Sequence, residues 1–184
     1  MTSKRNAPRG KKINPHYWVF CEGETEEAYV QLLRSIFRIP IEIVPKIVGN
    51  KITQRFINNS KQGKPQHPKD KDFLMYDGDV PTVIERLKTI RSALLITSNP
   101  SIELWFLLHY KNQTAHISSE ECIKQLCNRN KNRYKKGLID PKLESKLTQC
   151  LQKACARSKQ LTLFENPSSN MHLLIEELEN AKQN

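Results

Sequence analysis

Two short stretches hold the residues best suited to chemistry. In FCEGETEE, residues 20–27, an apolar run from Tyr17 to Phe20 passes through Cys21 and breaks at Glu22-Gly23, and Glu24, Glu26 and Glu27 follow. In FLMYDGD, residues 73–79, a second apolar run breaks into Asp77 and Asp79 around a glycine. Acids at i and i+2 of an extended chain point to one side, and Gly78 between them admits a close backbone or ligand. Crowded carboxylates repel one another unless a cation lies among them. Oxygen donors of this kind suit Mg2+ or Mn2+, and such an ion binds phosphate in turn. Each motif taken alone also reads as ordinary structure, one as a helix start with acid at the positive end of its dipole, the other as a turn after a strand. Their joint placement at strand ends favours the metal reading.

The elements that must position these acids alternate along the chain. A strand is expected over about His16–Cys21, then a helix over Glu26–Phe37, whose Ala28, Tyr29, Leu32, Leu33, Ile36 and Phe37 form one apolar stripe. Thr25 suits the cap of that helix. IEIVPKIV, residues 41–48, reads as a second strand with Pro45 at an edge or bulge. A weak helix fits residues 51–60, and KQGKPQHPKDK reads as a basic loop. FLMY is a third strand, Pro81 starts a helix to about Ile90, and ALLIT, residues 93–97, is a fourth strand. This order implies an α/β fold with a mainly parallel sheet flanked by helices and right-handed crossovers.

From Asn99 the pattern is helical, with Asn99 as a cap and Pro100 at the first helical position. Ser118 and Glu121 suit a capping box for a helix to about Asn128. Further helices are expected over Pro141–Ala156 and Ser169–Ala181. The organisation is therefore a basic arm over residues 1–14, an α/β core over 15–98 and a C-terminal helical extension over 99–184, all in one domain. In such a sheet, functional residues gather at the carboxyl ends of the strands, which is where Glu22 and Asp77 fall.

Thirty Lys and Arg against nineteen Asp and Glu give a net charge of +11 over 184 residues. That balance favours a polyanionic partner such as nucleic acid. The cations concentrate in the arm, at Lys4, Arg5, Arg9, Lys11 and Lys12, and in the loop, at Lys61, Lys64, Lys69 and Lys71. No apolar run approaches the roughly 20 residues of a membrane span, and residues 1–15 lack the apolar stretch of a secretory signal, so a cytoplasmic protein without a membrane partner is expected. Five cysteines fit a reducing compartment. The pairs Cys122/Cys127 and Cys150/Cys155 lie in helical segments, where positions five apart diverge by roughly 140°. They read as small buried hydrophobes rather than zinc ligands.

VFCEGETEE followed by LMYDGD resembles the Toprim signature, a strand ending in Glu-Gly and a later one in Asp-x-Asp. This metal-binding core is shared by topoisomerases, primases and nucleases of the overcoming-lysogenization-defect type. ITSNPSIELWFLLHY, residues 96–110, is similar to a hallmark of RloB-like proteins, and NPSSNMHLLIEELE, residues 166–179, resembles the end of that family. The resemblance implies a Toprim-like fold and a Toprim-type endonuclease that uses one or two Mg2+ or Mn2+ ions. It also implies a place in phage defence or restriction, with an ATPase as partner.

By the same resemblance, Glu22 matches the first Toprim acid, Asp77 and Asp79 the Asp-x-Asp pair, Glu26 a second glutamate of the defence nucleases, and Glu103 the acid of the Ser-Asn-Pro segment. These five are the expected metal ligands, with Glu22, Asp77, Asp79 and Glu103 catalytic. Glu22 could also take a proton from the attacking water. Glu103 stands out by itself, because a carboxylate in the apolar helix IELWFLLHY needs a partner or a metal. Its ordinary reading is a capping acid near the helix start. Gly78 departs from the family pattern, where a larger and often basic residue is usual, and is expected to loosen the metal loop. Ser101-Ile102 departs in a way that looks like repacking. His109 lies six positions beyond Glu103 and reads first as a packed histidine, second as a catalytic one.

The expected activity is hydrolysis of nucleic-acid phosphodiester bonds, in DNA or RNA, tRNA included. Lys61, Lys64, Lys69 and Lys71 are candidate backbone contacts, with Arg157 and Lys159 as further cations. A non-catalytic nucleic-acid-binding protein, or an interaction subunit of a defence complex, remains the alternative.

Overall fold

The computed structural model describes residues 15–45, 51–131 and 133–183. The basic arm and the end of the IEIVPKIV segment lie outside them. The elements are β1 (Tyr17–Cys21), α1 (Glu24–Phe37), β2 (Ile41–Val44), α2 (Gln54–Lys61), β3 (Lys71–Asp77), α3 (Pro81–Leu87), β4 (Ala93–Asn99), α4 (Ile102–Leu108), α5 (Ser119–Arg129), α6 (Pro141–Gln149), α7 (Leu151–Ser158), β5 (Ser168–Ser169) and α8 (Met171–Gln183).

The sheet has the order β2-β1-β3-β4-β5. β1 pairs in parallel with β2 and β3, and β3 with β4, while β5 runs antiparallel to β4. β1 and the middle of β3 are apolar throughout because helices cover both faces of the sheet. Tyr17, Val19, Cys21, Phe73 and Met75 face a core built with α1, α4 and the later helices. Trp18, Phe20, Leu74 and Tyr76 face the opposite core, with Ile57 of α2 and Ile84 and Leu87 of α3. The chain leaves β1 toward β2 on one side and reaches β3 on the other. Right-handed crossovers in opposite directions put α1 on one face and α2 and α3 on the other. The crevice between the carboxyl ends of β1 and β3 is therefore the topological switch point, where ligands of such sheets bind.

Several local expectations are corrected. Gly23, not Thr25, is the N-cap of α1, and the Thr25 hydroxyl instead accepts the N–H of Gly137 at 3.0 Å. Asn99 ends β4, and its amide donates to the Phe164 carbonyl at 3.2 Å, leaving Ser101 as the N-cap of α4. The expected helix over Pro141–Ala156 is two helices meeting at Cys150. Ser118 does cap α5, accepting the Glu121 N–H at 3.2 Å.

β5 was not expected. The Asn170 side chain takes the place of a strand neighbour there, accepting from Thr97 N–H at 2.7 Å and donating to Leu95 O at 2.8 Å. Cys21, Cys122 and Cys155 are buried, Cys127 and Cys150 half-buried, and all five are free thiols.

Candidate active site

Glu22 is the first residue beyond β1, and its N–H extends the ladder to the Met75 carbonyl at 3.1 Å. That pairing fixes the backbone, so the side chain turns toward β3. Its Oε2 accepts the N–H of Asp77 at 3.1 Å. Burial pushes the Glu22 carboxyl above its ordinary range, the Asp77 N–H opposes this, and the charge of Asp79 adds to the rise.

Asp77 closes β3, and its Oδ1 accepts the N–H of Ile102 at 3.0 Å, at the first turn of α4. Its carboxyl is pushed up to about 9, first by burial and then by the charges of Glu26, Glu103 and Glu22.

Glu26 lies in the first turn of α1 and is 5% exposed. A Cβ at Gly23 would stand 2.8 Å from its Oε2, so glycine is what lets this carboxyl fold over the helix start. Burial raises its pKa, with the charges of Glu103 and Glu22 adding, while its own N–H and a hydrogen bond from Asp77 oppose the rise. Two carboxyls at bonding distance cannot both ionise cheaply. The pair therefore holds a proton in common, and both carboxyls are raised above their ordinary range.

Glu103 is fully buried. Its Oε2 accepts from the Ser101 hydroxyl and its Oε1 from the Tyr134 hydroxyl, both at 2.7 Å. The Lys136 Nζ stands 3.9 Å from Oε1. These partners supply what a carboxylate among apolar side chains requires. Glu22, Glu26, Asp77 and Glu103, with Glu24 and Lys136, line a cleft of about 230 Å³ at the switch point.

Four of the five expected acids thus meet in one cleft, delivered by β1, α1, β3 and α4. Asp79 sits at the same edge, exposed on the turn after β3, with its charge felt at Glu22. Gly78 is not a loosened point. A Cβ there would lie 2.9 Å from the Asn99 Cβ, and the Gly78 N–H bonds Ser98 O at 2.9 Å, so the turn is packed against β4.

The expected cations stand elsewhere. Lys71 begins β3, about 20 Å along the strand from Asp77 at 3.3 Å per residue, so the 61–71 loop lies at the amino edge of the sheet. Lys61 pairs with Asp72 at 2.9 Å, Lys64 with Glu42 at 2.9 Å and Lys71 with Glu177, while Lys69 is exposed. The Arg157 guanidinium donates to the Leu108 carbonyl at the end of α4, and Lys159 pairs with Glu176. His109 is packed edge-on against Trp105, its Nδ1 2.9 Å from the Trp105 carbonyl, and burial pushes its imidazole down to about 4.

Sequence reasoning missed Ser101, Tyr134 and Lys136. The last two come from the loop between α5 and α6, which Gly137, at φ 74°, turns back onto the start of α1. The YKKG string was the available signal, a turn glycine beside an aromatic hydroxyl and two cations.

The acids that line the cleft offer carboxylate oxygens, the donors that hard divalent ions take. Among the described residues, no three His, Cys, Asp or Glu side chains are already gathered around a common point as metal ligands. The hydrogen bonds give the physical reason. Asp77 and Glu26 share a proton, Glu22 is held by the Asp77 N–H, and Glu103 by two hydroxyls. The chemistry of the set fits a cation once that proton leaves.

Comparison with curated proteins and with solved structures found no match. The family model described as RloB-like protein matches residues 17–178, a span that contains every acid of the cleft, and the chain belongs to the RloB-like family.

Proposed function

We propose that this chain is a cytoplasmic, metal-dependent endonuclease with a Toprim-like core that hydrolyses nucleic-acid phosphodiester bonds in prokaryotic anti-phage defence, beside an ATPase partner. The observation that carries the reading is the meeting of Glu22, Glu26, Asp77 and Glu103 from four elements at the switch point. Nothing in packing requires so much buried acid in one place, and a catalytic centre for phosphate chemistry does. Family membership and the motif resemblance support the defence setting and the ATPase.

Glu26, Asp77 and Glu103 would hold the ion, with Glu22 beside them and Asp79 at the rim. When bound, Mg2+ or Mn2+ polarises the phosphoryl oxygens and makes a bound water acidic. The remaining roles belong to the chain. Loss of the proton that Asp77 and Glu26 hold in common makes both of them acceptors. Glu22, whose carboxyl is raised by burial, is suited to take a proton from the attacking water. Ser101 and Tyr134 hold Glu103 in one orientation. Lys136, exposed at the cleft, faces the charge that develops on the phosphoryl group.

A second reading is a non-catalytic nucleic-acid-binding or interaction subunit. It draws on one observation, that the acids already satisfy one another through hydrogen bonds and a shared proton. The test is incubation with labelled DNA, tRNA and other RNA in Mg2+, Mn2+ or EDTA, with and without a candidate ATPase partner. Cleavage that needs the metal and disappears in Glu22→Gln is expected. Intact substrates under every condition would overturn the nuclease reading and leave the second.

A further inference from the structure

We infer that the segment from Arg129 to Lys142, joining α5 to α6, is the surface that receives the nucleic-acid backbone and leads it to the acidic cleft. This rests on the proposed nucleic-acid substrate and adds where and how it is held.

The segment carries Arg129, Lys131, Arg133, Lys135, Lys136 and Lys142, all exposed, and one acid, Asp140. Asp140 is already engaged: its Oδ1 caps α6 by accepting the N–H groups of Lys142 and Leu143, both at 2.9 Å, and its Oδ2 accepts from the Asn130 amide. Among the described residues, no carboxylate pairs with Arg129, Lys131, Arg133, Lys135 or Lys142, whereas Lys61, Lys64, Lys71 and Lys159 are each paired. The positive charge of the amino-edge loop is largely neutralised in place. That of the Arg129–Lys142 segment is available to a partner.

Position separates this run from an ordinary solvated one. Lys131, Arg133 and Lys142 line a second cleft of about 320 Å³, and Lys136, farther along the same segment, lines the acidic cleft. The segment is tethered at that end by Tyr134 on Glu103 and by the Gly137 N–H on Thr25. A sugar-phosphate backbone lying along it meets these cations, with Asp140 of the second cleft already engaged in capping α6, until it reaches the carboxylates of the acidic cleft. The acidic cleft repels phosphate by itself, so an adjoining cationic surface is what brings a strand near it. Indentation into a cleft suits a backbone that is itself a narrow ridge better than it suits the plane of an anionic membrane.

The test compares the full chain with Lys131→Gln/Arg133→Gln/Lys135→Gln, which leaves Lys136 in place. Anisotropy of labelled single-stranded DNA, RNA and duplex DNA is measured in EDTA across a salt series, with cleavage measured separately in Mn2+. Loss of three phosphate contacts lowers the log–log salt slope by about 2 to 3 and weakens binding by about tenfold or more, with an unchanged melting temperature. That result supports the assignment whether or not the wild type cleaves, so an inactive wild type would remove the nuclease reading alone. Wild-type affinity and slope in the triple variant overturn the assignment even if cleavage occurs. Binding of phosphatidylserine vesicles without binding of any oligonucleotide also overturns it.

Discussion

The Glu22 carboxylate accepts the backbone N–H of Asp77 at 3.1 Å, so the acid that follows β1 is fastened to the acid that ends β3 through the main chain. Asp77 is fastened onward by the Ile102 N–H at the start of α4. The cleft is therefore held by backbone donors that also stitch three elements together.

The first prediction follows from that stitching. Glu22→Ala leaves the Asp77 N–H unpaired and is expected to lower stability by about 1–2 kcal/mol in urea unfolding. Glu22→Gln keeps an acceptor oxygen and removes a charge from among like charges, so it should match or exceed the wild type. Equal losses in both variants would mean that the hydrogen bond is not what Glu22 contributes to the fold.

The second concerns pH in the metal-free protein. Asp77 has an ordinary value of 3.8 and is pushed up to about 9 when folded. Between those values the folded chain holds a proton that the unfolded chain has lost, so stability falls as pH rises, by at most about 1.4 kcal/mol per pH unit. Glu22 and Glu26 are shifted in the same direction. His109, pushed down to about 4, acts only below its ordinary 6.5 and with the opposite sign. Melting in EDTA from pH 7 to pH 8 reads mainly the carboxyls, because His109 acts below that window and the thiols of Cys21, Cys122 and Cys155, raised by burial from an ordinary 9.0, act above it. A declining melting temperature in the wild type and a flatter profile in Asp77→Asn are expected, and parallel profiles would refute the shared proton.

The third concerns Glu103. Tyr134→Phe and Ser101→Ala each remove one hydroxyl from a fully buried carboxylate and should cost about 2 kcal/mol, since such bonds are charge-assisted. In Glu103→Gln the same changes should cost less, and a double-mutant cycle reads the coupling. Additive losses would show that the hydroxyls act independently of Glu103.

The fourth concerns Gly78. A methyl group there meets the Asn99 Cβ at 2.9 Å, with the Asn99 backbone close behind at 3.3 Å. Gly78→Ala should lower stability by about 1–3 kcal/mol through overpacking, measured by thermal melting. An unchanged melting temperature would mean that β4 gives way without cost.

The strand ends were legible in the sequence because β1 and β3 are central and covered on both faces, which forces continuous apolar runs that stop abruptly at Glu22 and Asp77. What stayed hidden depends on partners distant in the chain. β5 is two serines whose pairing is completed by the Asn170 amide, so it has no apolar signature. The break at Cys150 carries no Gly or Pro, and the apolar spacing runs through it. Glu103 was visible as an acid needing a partner, but Tyr134 lies 31 residues away and reaches it only because Gly137 reverses the loop. The basic 61–71 loop drew attention by composition. Its position at the amino edge follows from strand direction, and its ion pairs from acids on β2, β3 and α8.

The most direct test of the central claim, that the four carboxylates form a divalent-cation centre, is titration of the purified chain with Mn2+ at pH 8, followed by electron paramagnetic resonance of the free ion and by proton release. The account predicts saturable binding that releases a proton, because the Asp77–Glu26 pair must lose the proton it holds in common before both can be ligands. It also predicts that both signals are lost in Asp77→Asn and Glu26→Gln. No saturable binding at millimolar Mn2+, or binding unchanged in these two variants, would contradict it.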